Sequence, residues 1–446
     1  MIRVRFAPSP TGLLFLSGAR VALANYLFAR RKAGSMLLRL DDLDEERCRP
    51  AHAEAIGQDL RWLGIAWDDS IRQSDRLPLY QDAIERLKRD GFLYPCFESE
   101  EELKAKLEFR RRRGQPLIYD RAMLRLTDKQ RGDAEAGGKR PHWRFRLSGR
   151  TLEWHDMAQG SRHASLAGVS DPIVARADGL PTAILASVVD DIDCKITHII
   201  RGEDNAGNTA VQIELFEVLA GATSRIRFAH LPALTDGDQT APGAPPGGRR
   251  VGSLSLRSLR NDGVEPGAIA ACLANTRADD CASHPLDELA AGFELSSMAH
   301  AQFDMRRLLA ANRRILRTLD FSAVADRLPG GATEAFWLAV RGDLDLLKEA
   351  RGWWDVVAGS IVPPVMDDDR DVLIAACDTL PPEPWDTTVW SNWIAALEHA
   401  TGLAGEALEM PLRLALTGEE TGPDLARLLP LIGRALAANR LGRAAA

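Results

Sequence analysis

The chain has 446 residues, 45% hydrophobic and 27% charged, with a formal net charge of −7. That length suffices for about three or four domains with substantial cores, and no run of about 18 apolar residues is present to cross a membrane. The acidic balance gives no global sign of nucleic-acid binding, although an acidic body can carry a local basic face.

The opening MIRVRFAPSPTG has no long apolar stretch or small-residue cleavage site and reads as an immediate strand. Val4–Ala7 is that strand. It enters the turn Pro8-Ser9-Pro10-Thr11-Gly12, and a helix follows from about Gly18 to Lys32, closed by Gly34. Ser35–Leu40 is a second strand ending in Asp41-Asp42-Leu43-Asp44, and Ala55–Leu63 a second helix. This alternation implies a parallel, doubly wound sheet. Glu100–Arg113 reads as a charged helix, and Trp143–Leu147, Leu152–Trp154 and Pro172–Arg176 as strands of an inserted domain. Ile184–Val189 and Ile196–Ile200 have buried-strand texture, and Thr209–Leu219 is helical. Residues 236–250, DGDQTAPGAPPGGRR, form a Gly/Pro-rich loop, either a flap or a linker. From about 255 onward the pattern is mostly helical, and the tryptophans 353, 354, 385, 390 and 393 read as helix packing. The six cysteines, Cys48, Cys96, Cys194, Cys272, Cys281 and Cys377, contain no CxxC pair. They fit free thiols in a reducing cytoplasm, with no structural zinc.

Several stretches could carry chemistry. RFAPSPTGLLFLSGAR, residues 5–20, takes a strand through a tight turn to a helix N-terminus, where backbone N–H groups carry partial positive charge. Ser17 and Gly18 are small enough to let a phosphate or ribose reach that backbone, or simply to let a tight turn pack. Arg5, taken alone, reads as a solvated strand-end charge. Carboxylates and an arginine gather at predicted strand ends in Asp190-Asp191 and Arg201-Gly202-Glu203-Asp204. The run Arg110, Arg111, Arg112 and Arg113 is either a solvated helix end or a phosphate-binding patch.

These segments resemble the glutamyl-tRNA synthetase family across nearly the whole chain: RFAPSPTG with a following GAR, LRLDDLD, IRGEDN, GSL with GVEP, and LPLIGR. The resemblance implies an α/β fold: a Rossmann-type doubly wound parallel sheet with an inserted α+β domain, followed by all-α C-terminal domains. It implies a catalytic domain at 1–95 and 181–235, an inserted acceptor-binding domain at 96–180, a signature-loop and stem-contact region at 236–318, and a helical anticodon-binding-like domain at 319–446. By the same resemblance Arg5, Ala7, Ser9, Asp41, Ala183 and Arg201 would bind the amino acid. Pro8, Gly12, Phe15, Gly18, Glu203, Asn205, Arg249 and Arg250 would face ATP, with Ser17, Gly18 and Arg249 nearest the chemistry. Arg110–Arg113 would contact tRNA.

The chain departs from the family where the ATP signatures belong. Phe15 begins Phe15-Leu16-Ser17-Gly18, where the family's HIGH-like signature begins with histidine. The KMSKS-like loop falls on Pro246-Gly247-Gly248-Arg249-Arg250, without lysines or serine. Ala183 stands where the family usually has tyrosine, and Asn205 where it usually has histidine. The expectation is a paralogue that keeps the fold and binds tRNA and an amino acid or other small carboxylate, with glutamylation weakened, lost or redirected. The alternatives are a functional glutamate–tRNA ligase, a non-catalytic tRNA-binding or regulatory protein, and an amino-acid ligase with a non-tRNA acceptor. ATP is the implied cofactor, with Mg²⁺ entering only through ATP. A cytoplasmic monomer away from membranes is expected, with room for a protein partner.

Overall fold

The computed structural model describes residues 1–221, 226–236, 254–274, 286–299, 302–359 and 361–446. They form two compact units, one built chiefly from Met1–Arg257 and the other chiefly from Met305–Ala446.

In the first unit, strand β1 (Arg3–Phe6) leads to helix α1 (Leu16–Arg31), strand β2 (Ser35–Leu40), helix α2 (Pro50–Trp62) and strand β3 (Asp69–Arg72). The strands pair in parallel in the order β1-β2-β3, with Arg3 opposite Ser35 and Leu37 opposite Asp69. β2 is buried along almost its whole length, as a strand covered on both faces must be. α1 buries Leu16, Ala19, Leu23 and Leu27 at helical spacing and ends in Arg30 and Arg31, which complement its C-terminal dipole.

Helix α3 (Leu77–Arg89), strand β4 (Leu93–Cys96), helix α4 (Glu100–Arg112), helix α5 (Asp128–Ala136) and strand β5 (His142–Phe145) follow. The hairpin of β6 (Thr151–Asp156) and β7 (Gly160–Ser165) comes next, then β8 (Ile173–Ala175). β4, β5 and β8 form an antiparallel sheet. The β6–β7 hairpin instead reaches back to the sheet of β9 (His198–Gly202) and β10 (Arg227–Leu231), where Asp156 pairs with Phe228 in parallel. Thr197 N–H donates to the Arg3 carbonyl at 2.9 Å, laying the start of β9 beside β1.

The structure corrects one sequence expectation here. Ile184–Val189 is not a strand; it lies in helix α6 (Ala183–Asp193). A short apolar run does not distinguish a buried strand from a buried helix. The polar residues decide it: Ser187, Asp190 and Asp191 share one face at helical spacing, whereas a strand would send the two aspartates to opposite faces. Helix α7 (Thr209–Ala220) stands as expected.

The second unit is helical. Phe336, Trp337, Trp393, Leu412, Leu428 and Leu441 are fully buried at its centre, with Trp353, Trp354, Trp385 and Trp390 packed against them. These tryptophans are packing residues, as their helical setting predicts. The Trp393 indole donates to Thr379 Oγ1 at 3.2 Å and meets the Trp390 ring edge-on, with centroids 5.9 Å apart. Trp393→Ala should lower the stability of this unit by about 3–5 kcal/mol through lost burial and the cavity left behind. Denaturant unfolding followed by the unit's own signal checks this, and a loss below about 1 kcal/mol would remove Trp393 from the core.

Candidate active site

The carboxyl ends of β1, β2, β9 and β10 open into a cleft of about 810 Å³, the position where open α/β sheets bind ligands. Arg5, Ala7, Pro8, Ser9, Ser17, Gly18, Asp41, Ala183, Arg201, Glu203 and Asn205 all line it. Gly12 and Phe15 are not among the lining residues. The Phe15 side chain is 41% exposed, and its backbone bridges to Ser255 at the start of α1. Arg249 and Arg250 lie outside the described residues. Arg110–Arg113 are away from the cleft, at the end of α4. There Arg111 and Arg112 pair with Glu108 at 3.1 and 3.4 Å, Arg110 donates to the Pro116 carbonyl at 2.8 Å, and Arg113 covers the Phe109 ring. α4 begins on a Ser99–Glu102 capping box with Glu100–Glu102 in its first turn, so acidic and basic ends both match its dipole.

The floor of the cleft is an ionic network centred on Arg39, a residue that sequence reasoning missed. Its side chain is 1% exposed. It grips Asp41 through two bonds of 2.7 and 3.1 Å and Asp191 through one of 2.9 Å, and also donates to the Ser187 carbonyl and hydroxyl at 3.2 Å each. Arg5 shares Asp191 at 3.1 Å. Asp190, on the same face of α6, accepts from Gln73 and Arg76 at 2.8 Å and from the Tyr80 hydroxyl at 2.9 Å. Burial pulls the Arg39 guanidinium pKa down, but Asp41, Asp191 and Asp190 more than reverse this, so its charge is held more firmly than that of a free arginine. Burial likewise pushes the Asp41 carboxyl up, against the pull of Arg39 and Arg5. An arginine inside the apolar strand Ser-Met-Leu-Leu-Arg-Leu was the available signal, because a buried charge has to be paired.

Arg201 is placed differently. Its three hydrogen-bond acceptors are uncharged: Gln212 Oε1 at 2.7 Å, Thr209 Oγ1 at 2.8 Å and His230 Nε2 at 3.1 Å. Among the described residues no carboxylate lies within ion-pair distance of it. Burial, with Arg5 close by, pushes its pKa down to about 9, which leaves it cationic at neutral pH. The carboxylates of Asp41, Asp190 and Asp191 therefore gather on Arg39, with Asp191 shared by Arg5, while Arg201 is paired with neutral acceptors. Arg20, also in the lining, donates to the Pro232 carbonyl at 2.5 Å, and burial pushes it down to about 10 beside Glu203. No group of three or more His, Cys, Asp or Glu side chains able to hold a metal occurs among the described residues.

Residues 1–241 match the catalytic-domain model of class I tRNA synthetases (E and Q), and residues 365–445 match the anticodon-binding-domain model. The chain belongs to the glutamyl-tRNA synthetase family. It is 54% identical over 448 residues to glutamate–tRNA ligase 2 of Granulibacter bethesdensis, covering 99% of this chain and 98% of that one. It is 51% identical over 450 residues to glutamate–tRNA ligase 2 of Gluconacetobacter diazotrophicus, covering both chains completely. Among solved structures it is similar to a glutamate tRNA ligase from Elizabethkingia meningosepticum in complex with its amino acid, with a TM-score of 0.82, 25% identity and 99% of each chain covered. The fold is that of a class I synthetase, a Rossmann-type sheet followed by a helical C-terminal part.

Arg39→Met leaves the carboxylates of Asp41 and Asp191 buried with only Arg5 near, which should cost about 3–5 kcal/mol at neutral pH. The sign of its pH dependence comes from linkage. With the guanidinium gone the Asp41 carboxyl, already raised by burial, rises further above its unfolded value, so the folded variant takes up a proton at higher pH than the wild type does. Its deficit against wild type should therefore narrow as pH falls from 7 towards about 5. Urea unfolding at both pH values checks this, and a deficit that widens on acidification contradicts the network.

Proposed function

We propose that the chain is an ATP-dependent glutamate–tRNA ligase that keeps its carboxylate-binding arginines and whose ATP-activating half runs slowly. The observation that carries the first part is the charge pattern at the strand ends. Glutamate brings two carboxylates and one ammonium, with a net charge of −1 at neutral pH. Asp41, Asp190 and Asp191 sit on Arg39 and Arg5, whereas Arg201 lines the cleft with no carboxylate within ion-pair distance among the described residues, a cation suited to a ligand carboxylate. In this reading Arg5 and Arg201 take the carboxylates and Asp41 faces the ammonium, while Ala7, Ser9 and Ala183 shape the wall. Pro8, Ser17, Gly18, Glu203 and Asn205 lie where ATP would be held, with Mg²⁺ entering on its phosphates. One glutamate oxygen attacks the α-phosphate and pyrophosphate leaves. The terminal ribose of tRNA then takes the glutamyl group and AMP departs. The protein's part is to position the reactants and stabilise the charge that moves.

The slow half is argued from the sequence. Phe15 cannot donate a hydrogen bond to a phosphate oxygen, and 246–250 offers Arg249 and Arg250 but no lysine. One missing preorganised donor costs about 10²–10³ in rate. The paralogue's full-length likeness to relatives named glutamate–tRNA ligase 2 favours a retained reaction over a lost one.

ATP–pyrophosphate exchange tests the proposal. Exchange should depend on glutamate, and Phe15→His should raise its rate by up to about 10². Exchange with another acid only would redirect the specificity. No exchange at all, with tRNA still bound, would make the protein a non-catalytic tRNA binder. If Arg110–Arg113 contact tRNA phosphates, replacing all four by glutamine should flatten the dependence of log Kd on log salt by up to about 3. An unchanged slope would leave these arginines as the dipole-matched end of α4.

A further inference from the structure

We propose that His230 is a positioning residue for amino-acid binding: held by Asp156, it turns a ring lone pair to Arg201 and fixes the guanidinium so that its free N–H groups face a ligand carboxylate. The inference rests on the ligase reading above.

Asp156, at the end of β6, is itself anchored. Its Oδ1 accepts from the backbone N–H groups of Ala158 and Gln159 at 3.0 Å and of His230 at 3.2 Å. Its Oδ2 lies 2.5 Å from His230 Nδ1. Both residues are almost wholly buried. Burial pushes the Asp156 carboxyl up, and the His230 ring and the backbone N–H groups more than reverse it, so it lies below its ordinary value and stays ionised. An ionised carboxylate there requires a proton on Nδ1. That leaves Nε2 as an acceptor, in reach of Arg201 Nε at 3.1 Å and Thr209 Oγ1 at 2.9 Å. The opposite tautomer would set an N–H against the Arg201 N–H, which can only donate. The His230 ring is also held parallel to Phe228, with centroids 6.3 Å apart.

The intervening imidazole matters for charge as well as direction. A carboxylate directly on Arg201 would orient it and neutralise it together. With a neutral ring between them, Asp156 sets the geometry while the guanidinium keeps its charge for the cleft. His230, Gln212 and Thr209 occupy three of its N–H groups; a guanidinium has about five. The remaining two match the bidentate grip of a carboxylate. This explains why the β6–β7 hairpin returns to pair with β10: the pairing delivers Asp156 to the ring.

Two substitutions separate positioning from simple support. His230→Gln can place an amide oxygen near the Nε2 position and keep the bond to Arg201. His230→Asn can keep the donor to Asp156 but loses the acceptor. Glutamate KM and kcat in ATP–pyrophosphate exchange, with glutamate Kd by calorimetry, are measured for wild type and both variants. The expected result is a KM and Kd raised about tenfold in His230→Asn, with kcat little changed, and values near wild type in His230→Gln. The reverse order, or equal effects, would overturn the proposal and leave His230 as a tie between β6 and β10. If wild type binds no glutamate, the ligase reading fails, and ring ¹⁵N shifts then decide the proposal. A protonated Nδ1 and an Nε2 signal that moves in Arg201→Gln support it; an Nε2–H tautomer, or an Nε2 signal indifferent to that change, overturns it.

Discussion

The grip of Arg39 on Asp41 and Asp191 is the interaction on which the rest of the site depends. It joins the end of β2 to the side of α6 across 152 residues of sequence, and a buried guanidinium permits no looser arrangement. An unpaired charge at that depth costs several kcal/mol, so the strand end and the helix face are fixed together. Arg5 then shares Asp191 and is fixed too. The placement of Arg5 at the cleft is in this sense a consequence of charge balance beneath it.

Arg201 is held at the same cleft by the opposite device. Arg39 is satisfied by carboxylates and is unavailable to a ligand; Arg201 is satisfied only by neutral acceptors. Both are buried arginines, and what separates a structural cation from a binding one is the charge of their partners. Desolvation weakens the hold on the Arg201 proton and at the same time strengthens its attraction for an anion that enters the cleft.

Much of this was legible in the sequence, and the reasons differ by residue. Arg201 stands at the end of a short apolar run, where open α/β sheets bind ligands, whereas Arg5 and Asp41 were singled out only by the family resemblance. The tryptophans of the second unit fell on helical spacing and turned out as packing. Ile184–Val189 misled because an apolar run looks alike in either secondary structure. Arg39 lay unremarked within LRLDDLD because the aspartates drew the reading, although a charge between buried leucines has to be paired. Asp156 and His230 could not be joined from sequence at all. They are 74 residues apart, and what unites them is a hairpin that leaves its own neighbours to pair with a distant strand.

The two halves of the site also differ in how far stability protects them. Arg39, Asp191, Asp190, Arg201, His230 and Asp156 are each buried and each bonded to others in the set, so replacing one leaves an unsatisfied polar partner in the core. Loss of a paired charge there therefore costs stability as well as altering the site. Phe15 is in a different position: 41% exposed, outside the cleft lining, and tied to Ser255 through its backbone. The identity of that side chain bears little on folding. Position 15 can therefore vary while the fold stands, whereas the paired groups around Arg39 cannot be altered singly without leaving a buried charge unmatched.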